Sequence, residues 1–464
     1  MQPPFDISAD LDTPVSTYLK LGPLKPRYLL ESVEGGVHLA RYSFLGFGEA
    51  IEMRVDHEGL RIGERCIDTP GSRDELLALM RQALADSPRL APEIPELPFS
   101  GGLVGVAGHD LVRHFEYLPN PPAGAPKPPV PEAAWIAAES LLVFDHLTRR
   151  IALLHAGSEI QRQALRDEVI GLLRGPVPLP NGRPAAYTEA EQSLSREEYM
   201  RCVETAKGYI AKGDIYQIVL SVRFSGMHSL SPFEAYRALR LLNPSPYMYF
   251  FDAGDFQVVG SSPEALVRLH SGEASLRPIA GTRPRGHDDD EDCAHEESLL
   301  ADEKENAEHV MLVDLARNDL GRVAAAGSVQ VDPYRSIERY SHVMHIVSGV
   351  KGRLAEGRDA FDLFAAAFPA GTLVGAPKVR AMELIDELEP VRRGIYGGTV
   401  GYFGHNGDLD QAIAIRTLVF SDSEYSYQAG AGIVADSVPE TEYQEVLAKS
   451  EILRSALAIA EEGL

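Results

Sequence analysis

The distribution of apolar and polar residues predicts many short strands and a smaller number of amphipathic helices. Apolar, β-branched and aromatic runs predict strands at residues 28–30, 51–55, 141–144, 151–154, 215–224, 247–251, 258–260, 400–403, 412–420 and 426–431. Apolar residues at helical spacing predict helices at residues 72–85, 195–212, 295–315, 359–367, 378–388 and 440–461. Because strands outnumber those of a simple strand–helix alternation, the pattern predicts an α+β fold with strand-rich sheets covered by helices.

Capping signals mark three of the predicted helix starts. In each signal a serine stands three positions before a glutamate, and the two side chains satisfy free N–H groups of the first turn. The three pairs are Ser72 with Glu75, Ser195 with Glu198, and Ser437 with Glu440. Gly213 predicts the end of the second helix, because glycine readily adopts the left-handed conformation that closes helices.

A stretch rich in proline and glycine divides the chain. Residues 175–184 read GPVPLPNGRP, a composition typical of a linker. We therefore expect an N-terminal portion at 1–174, a linker at 175–194 and a C-terminal portion at 195–464.

Composition and charge narrow the class of protein. Of 464 residues, 44% are hydrophobic and 24% are charged, which is typical of a soluble globular enzyme and excludes a disordered or collagen-like chain. The net charge of −24 argues against binding to nucleic acid or to anionic membranes. Any anionic substrate then requires a local concentration of positive charge.

Cysteine usage and the N-terminus predict a cytoplasmic location. Only three cysteines occur, at Cys66, Cys202 and Cys293, and none lies in a CxxC motif, which favours a reducing compartment. The N-terminus lacks the basic and apolar regions of a signal peptide, and no apolar run approaches about 18 residues.

Two pairs of glutamates form the strongest chemical signal. Glu305 and Glu308 share one face of a predicted helix, and Glu442 and Glu445 repeat that spacing near the C-terminus. Lys449 follows one turn later. Four carboxylates from two helices suit a hard divalent cation such as Mg²⁺. The alternative is that these acids are solvated first-turn residues that interact with the helix dipole.

Glycine clusters and polar residues within apolar runs give weaker signals. The segments PIAGT, YGGTVGYFG and AGAG bring glycines beside polar residues, which suits either close approach to an anion or tight turns. No phosphate-binding GxxxxGK[ST] motif occurs. Gln217, Arg416 and His345 interrupt apolar runs, and a buried Arg416 requires an anionic partner. None of the cysteines has the surroundings of a catalytic nucleophile, so no glutaminase site is expected in this chain.

Long ordered motifs carry a resemblance to a known family. The segments PIAGTRPRG, DEKENAEHVMLVDLARNDLGRV, GAPKVRAMELIDELE, DQAIAIRT and AGAGIVADSVPETEYQE resemble those of chorismate-utilising enzymes, and the match covers nearly the whole chain. The resemblance implies two large, mainly antiparallel β-sheets packed against each other with helices outside. It also implies Mg²⁺-dependent attack of ammonia on chorismate, loss of the ring hydroxyl and elimination of pyruvate to give anthranilate.

The resemblance assigns roles to individual residues. Glu308 and Glu445 match metal ligands, and Glu305 and Glu442 match their supporting acids. Glu264 matches the general acid, His345 matches the histidine that assists pyruvate release, and Thr282 lies with them in the catalytic set. Substrate contacts are implied for Gly281, Thr282, Tyr396, Arg416, Gly430, Ala431, Gly432 and Lys449.

Three positions separate this chain from other branches of the family. Gln217 stands where water-activating members carry lysine, and glutamine cannot act as a general base. Ala280 stands where aminodeoxychorismate synthases typically carry a lysine nucleophile. Val374 departs from the serine or threonine of relatives. An aminodeoxychorismate synthase component and a non-catalytic amino-acid sensor subunit remain the alternatives.

The resemblance further implies regulation and partnership. Ser32, Pro246, Tyr247 and Met248 match a feedback site for tryptophan as inhibitor. Ammonia would come from a glutamine amidotransferase subunit, in a heterotetramer.

Overall fold

The computed structural model describes residues 4–32, 41–56, 59–119, 128–178, 185–339 and 343–464. Helices alternate with strands throughout these ranges. Within these ranges the α-helices are α1 Pro14–Lys20, α2 Arg73–Asp86, α3 Glu159–Leu173, α4 Arg196–Lys212, α5 Pro232–Leu242, α6 Asp289–Ala301, α7 Glu303–Gly321, α8 Ala360–Ala367, α9 Lys378–Leu388 and α10 Pro439–Glu462. No helix among the described residues is long and apolar enough to cross a lipid bilayer.

Most strands are short, and β3, β7, β10 and β24 are the long ones, with 10 to 15 residues. The first twelve are β1 Ile7–Ser8, β2 Pro26–Glu31, β3 Tyr42–Asp56, β4 Gly59–Ile62, β5 Arg65–Ile67, β6 Gly102–Ala107, β7 Ala133–Asp145, β8 Arg150–His155, β9 Glu191–Gln192, β10 Gln217–Met227, β11 Tyr247–Asp252 and β12 Phe256–Ser262. The others are β13 Ala265–His270, β14 Glu273–Leu276, β15 Ile279–Pro284, β16 Gln330–Val331, β17 Ser336–Arg339, β18 Val343–Val347, β19 Val350–Arg353, β20 Gly375–Ala376, β21 Thr399–Gly404, β22 Leu409–Ile413, β23 Thr417–Ser421 and β24 Glu424–Ile433.

One large antiparallel sheet with two arms forms the centre of the fold. The first arm runs β7–β3–β2–β11–β12–β23–β24–β10, and the second runs β7–β6–β21–β22–β13–β14–β19. Strand β7 pairs with both arms, so hydrogen bonds connect all 21 strands into one sheet. A separate three-stranded sheet contains β15, β18 and β17. The predicted α+β class with antiparallel sheets is confirmed.

Aromatic side chains pack the two arms against each other. The ring of Phe44 on β3 lies 6.5 Å from the ring of Tyr402 on β21 and 5.6 Å from that of Phe99. Phe251 and Val258 of the first arm belong to the same buried cluster. Burial of these large rings supplies the main attraction between the arms.

The chain crosses between the arms at two adjacent places. Strand β12 pairs in the first arm and β13 in the second, so the chain crosses at Pro263 and Glu264. Strand β22 pairs in the second arm and β23 in the first, so it crosses back at residues 414–416. The two crossings are hydrogen-bonded together, because Ser261 N donates to Arg416 O at 3.2 Å and Ile413 N donates to Glu264 O at 2.9 Å.

The second crossing corrects one predicted strand. The apolar run at 412–420 was expected to be continuous, but it is split between β22 and β23. Arg416 has φ +49°, a left-handed conformation that ends the ladder and turns the chain toward the other arm. Hydrophobic pattern does not detect this break, because both halves are buried.

Two predicted helix starts are also corrected. The helix expected at 295–315 is two helices, because the Asp302 side chain accepts from the N–H groups of Lys304 and Glu305 and starts α7 there. The capping box expected at Ser437 is absent. Val438 is the N-cap of α10, and the Ser437 hydroxyl instead accepts from Val434 N. By contrast, the box of Ser195 with Glu198 and the left-handed Gly213 at the end of α4 are confirmed.

Strands from both sides of residues 175–194 share the large sheet. Strand β2 pairs with β11, and β6 pairs with β21. Residues 179–184 lie outside the described residues. The division of the chain into two portions therefore stays a prediction about sequence, while the sheet itself draws on both portions.

Gly105 offers a test of the close strand approach at the junction of the arms. A Cβ there would lie 2.0 Å from Ala134 O and 2.6 Å from Trp135 Cα, both backbone atoms. We expect Gly105→Ala to lower the free energy of unfolding by about 1–3 kcal/mol or more. The matched control is Gly208→Ala in α4, where a Cβ meets nothing within 4 Å and should stabilise by up to about 1 kcal/mol. Chemical denaturation measures both, and equal stabilities would contradict the prediction.

Candidate active site

The two crossings between the arms place Glu264 and Arg416 side by side in the fold. Glu264 is partly buried, and loss of hydration raises its pKa to about 7. A hydrogen bond from Thr372 and the charges of Arg416 and Lys449 act in the opposite direction. Thr372 Oγ1 donates to Glu264 Oε1 at 3.0 Å. A carboxyl group with this pKa carries a proton for much of the time at neutral pH and can donate it.

Helices α7 and α10 bring their acidic side chains toward each other. Burial raises the pKa of Glu308, and the nearby charges of Glu305 and Glu445 raise it further. Burial likewise raises the pKa of Glu442, and the charge of Glu445 adds to that effect. A carboxylate whose charge raises the pKa of its neighbours lies close enough to them to share a cation.

These carboxylates do not form a closed metal cage. Among the residues that the structure describes, no group of three or more histidine, cysteine, aspartate or glutamate side chains has metal-binding geometry. The donor set across the two helices therefore fits an ion held by one or two carboxylates that completes its shell with water or substrate, as Mg²⁺ commonly does.

Lys449 connects the acidic helices to the glycine-rich strand. Its Nζ lies 2.6 Å from Glu445 Oε1 and donates to Gly430 O at 3.0 Å. The same charge lowers the pKa of Glu264 and of Glu308. Lys449 thus stands between the buried proton donor and the acidic pair.

Glycines on β24 leave room beside Tyr396 and Gln217. A Cβ on Gly430 would lie 2.8 Å from the Tyr396 hydroxyl, and a Cβ on Gly432 would lie 2.7 Å from Gln217 Nε2. Ala431 between them is buried. Side chains larger than hydrogen at these two positions would fill the space in front of β24.

The three-stranded sheet contributes Gly281, Thr282 and His345. Thr282 opposes His345 in the register of β15 and β18, and Gly281 bulges there with φ +71°. His345 Nδ1 lies 2.9 Å from Gly281 O, which can only accept, and 3.1 Å from Thr282 Oγ1. A Cβ on Gly281 would lie 3.2 Å from Glu305 Oε2, so this turn packs directly against α7.

A large cavity, apart from the residues described so far, is lined by the four residues predicted to bind tryptophan. Ser32, Pro246, Tyr247 and Met248 line a cavity of about 1010 Å³ between the arms of the sheet. Tyr247 donates from its hydroxyl to Asp410 Oδ1 at 2.9 Å. The structure therefore brings these four residues together around one cavity.

The two sites are neighbours. A small cavity of about 50 Å³ behind Glu264 and Thr372 shares Ala265, Leu276 and Arg277 with the wall of the large cavity. A single layer of residues therefore separates the proton donor from the large cavity.

Sequence reasoning missed two contributors. The hydroxyl of Thr372 binds Glu264, whereas the sequence pointed to Val374 as the position of a missing polar contact. Val374 is buried, and its carbonyl oxygen accepts from Val219 N at 2.9 Å. Asp410 forms the polar end of the large cavity together with Tyr247 and Arg268. The Nε of Arg268 lies 3.0 Å from Asp410 Oδ2. The hydroxyl of GTLVGAPK was a visible signal, but Asp410 carried none because it reads as an ordinary strand residue.

Comparisons with a family model, with known sequences and with a solved structure all indicate the same family. A family model described as chorismate binding enzyme matches residues 25–455. The chain is 47% identical to anthranilate synthase component 1 of Pseudomonas putida, over 98% of this chain and 94% of that protein. It is 46% identical to anthranilate synthase component 1 of Thermus thermophilus, over 98% of this chain and 97% of that protein. The structure is similar to the crystal structure of anthranilate synthase component I from Streptococcus pneumoniae, with TM-score 0.79, 38% identity, and 89% of this chain and 92% of that chain covered.

Removal of the Thr372 hydroxyl tests the surroundings of Glu264. The hydrogen bond from Thr372 lowers the pKa of Glu264, so Thr372→Val should raise that pKa above the value of about 7. Infrared titration of the protonated carboxyl band measures it, with Glu264→Gln to assign the band. Thr205→Val, on the exposed face of α4, should leave the band unchanged. An unshifted pKa in Thr372→Val would show that the bond does not form in solution.

Proposed function

This chain belongs to the family of chorismate-binding enzymes, and we propose that within the family it performs the reaction of anthranilate synthase component 1. In that reaction chorismate is aminated with ammonia and pyruvate is eliminated to give anthranilate. The observation that carries the proposal is the protonatable Glu264, flanked by the charges of Arg416 and Lys449, in a chain of net charge −24. Such a local concentration of cations suits a substrate with two carboxylates.

Cations and backbone groups of the site would orient the substrate. Lys449, with the backbone of Gly430, Ala431 and Gly432, would face the ring carboxylate. Arg416 suits the enolpyruvyl carboxylate because a planar guanidinium binds carboxylates through two parallel hydrogen bonds. The Tyr396 hydroxyl, which lies against Gly430, would donate to the same carboxylate.

Two groups on opposite sides of the substrate would move protons. Glu264 would donate its proton to the leaving ring hydroxyl, and a pKa of about 7 suits that task at neutral pH. His345 carries its proton on Nδ1, because its neighbour Gly281 O is an acceptor, and it would assist the release of pyruvate. Thr282, beside His345, would hold the ring region of the substrate.

Magnesium fits the acidic helices as a proposed cofactor. Glu308 and Glu445 would hold the ion, with Glu305 and Glu442 as supporting acids, and the raised pKa values of Glu308 and Glu442 beside Glu445 support a cation at this place. When bound, Mg²⁺ would neutralise the ring carboxylate and act as a template for it. Lys449 would face the same carboxylate, and Arg416 would hold the enolpyruvyl carboxylate.

A separate subunit would supply ammonia. Burial and the charge of Glu389 raise the pKa of the Cys202 thiol, which disfavours a nucleophilic thiolate, and Cys66 and Cys293 are exposed free thiols. We therefore propose a glutamine amidotransferase partner, in a heterotetramer. Free cysteines also support a cytoplasmic location, since the cytoplasm keeps thiols reduced.

The reaction can be tested with the purified chain, chorismate, ammonium and Mg²⁺. We expect fluorescent anthranilate of the correct mass, loss of the activity with a chelator, and no product from glutamine alone. The rate should fall as the pH rises through about 7, because Glu264 loses the proton it must donate. Glu264→Gln should reduce kcat by about 100-fold or more, whereas Glu273→Gln at the exposed start of β14 should not.

Other products would point to the alternatives. A non-aromatic amino isomer of chorismate would assign the chain to the aminodeoxychorismate branch, which Ala280 disfavours. Absence of turnover even with an amidotransferase partner would favour the sensor subunit.

Tryptophan inhibition is the regulatory part of the proposal. The large cavity offers aromatic and thioether side chains at Tyr247 and Met248 and a hydroxyl at Ser32, which suits an indole amino acid. We expect tryptophan to inhibit the chain, and Ser32→Ala to raise the inhibition constant by roughly two- to tenfold through loss of about 0.5–1.5 kcal/mol of hydrogen bonding. The exposed Ser423→Ala is the control. A rate that tryptophan leaves unchanged would contradict this proposal.

A further inference from the structure

A fully buried ion pair lies directly behind the candidate active site. Glu389 follows the last residue of α9, and Arg393 comes four residues later. Their side chains are 3% and 1% exposed. Arg393 Nε donates to Glu389 Oε2 at 2.9 Å, and its Nη2 donates to Glu389 Oε1 at 2.7 Å.

Such a pair is weak as a source of stability. Two charges lose their hydration on burial, and apolar residues of similar volume often replace a buried pair with no loss of stability. The bonds that the pair makes to its surroundings are therefore more informative than the pair itself.

Arg393 braces the segment that holds the proton donor. Its Nη1 donates to Leu373 O at 2.6 Å, next to Thr372, whose hydroxyl donates to Glu264. Its guanidinium carbon lies 5.7 Å from the centre of the Tyr396 ring, and Nη2 also donates to Val219 O at 2.7 Å. One side chain thus contacts the Thr372 segment, the Tyr396 ring and strand β10.

Glu389 braces the strand that would bind the ring carboxylate. Its Oε1 accepts from Ser221 N at 2.9 Å and from Ser221 Oγ at 2.7 Å. Ser221 is the register partner of Gly430 on β24, and Gly430 O accepts from Lys449. Gln428 Nε2 on β24 donates to Ser221 Oγ at 2.7 Å and ties the two strands together at this point.

We propose that Glu389 and Arg393 are positioning residues for the reaction, and that their ion pair sets the distance between the proton donor Glu264 and the carboxylate-binding groups Tyr396 and Gly430. This inference rests on the proposed function. Arg393 bonds to the segment that contains Thr372, and Glu389 bonds to Ser221 on the strand that pairs with β24. A shift of either residue therefore displaces the Thr372 segment relative to β24. A misplacement of about 1 Å in an active site can reduce the rate by about 100-fold.

The test replaces both charges together, so that neither is left buried without its partner. Arg393→Met with Glu389→Leu keeps side chains of similar length and avoids the unfolding that one unpaired charge would cause. The matched control is Lys20→Met with Asp12→Leu. That pair is also nearly buried, with side chains 10% and 9% exposed, but it joins α1 to the end of α3.

Kinetics and titration distinguish positioning from folding. We expect the Arg393/Glu389 double variant to stay folded but with a lower thermal midpoint, because Ser221 N, Leu373 O and Val219 O lose their partners. It should also raise KM for chorismate and lose about 100-fold in kcat/KM. The pKa of Glu264 should rise in that variant, as in Thr372→Val, because the bond from Thr372 is lost while Arg416 and Lys449 still face the carboxyl. The Lys20/Asp12 control should change neither the kinetics nor the pKa of Glu264.

Two results would overturn the inference. One is a folded Arg393/Glu389 double variant with the kinetics of the unmodified chain. The other is an unshifted carboxyl band for Glu264 in the infrared titration, which needs no turnover. An unmodified chain that makes no anthranilate would instead count against the proposed function, and the titration would still decide the positioning role.

Discussion

The candidate site depends on two places where the chain leaves one arm of the sheet and enters the other. A strand that changes arms must break its ladder, and the broken ladder exposes polar groups that need new partners. Here the two breaks lie side by side, and the backbones of Ser261 and Glu264 bond to those of Arg416 and Ile413. The side chains of Glu264 and Arg416 therefore emerge together inside the protein. Loss of hydration around Glu264 raises its pKa there.

Carboxylates and a cation meet on α10, where Lys449 Nζ lies 2.6 Å from Glu445 Oε1. Helices α7 and α10 present carboxylates to each other, while Lys449 on α10 reaches back to strand β24. An anionic substrate and a divalent cation would each find the opposite charge at this place. The acidic surface elsewhere keeps the chain soluble without weakening the site, because exposed charges more than about 10 Å away are screened by salt.

The large cavity is close to the reaction centre for a simple reason. Tyr247, which lines the cavity, pairs with Ser262 at the end of β12, only two residues before Glu264. Ala265, Leu276 and Arg277 form a wall common to both cavities. A ligand in the large cavity would therefore contact a wall that is shared with the small cavity at Glu264.

The sequence alone determined the elements with local causes: α4 with its capping box and Gly213, most strands, the acidic pairs and the family motifs that assign their roles. It did not determine the split at Asp302, the break at Arg416 or the absent box at Ser437, because each depends on a competing partner rather than on periodicity. The hydroxyl of Thr372 was visible in the sequence, but nothing there indicated its bond to Glu264 or the bracing by Arg393. Those contacts join residues 20 or more positions apart, and only the packing of the two arms brings them within hydrogen-bonding distance. Local pattern reports which residues are buried or capped, whereas the pKa and orientation of a side chain are set by distant neighbours that only tertiary structure supplies.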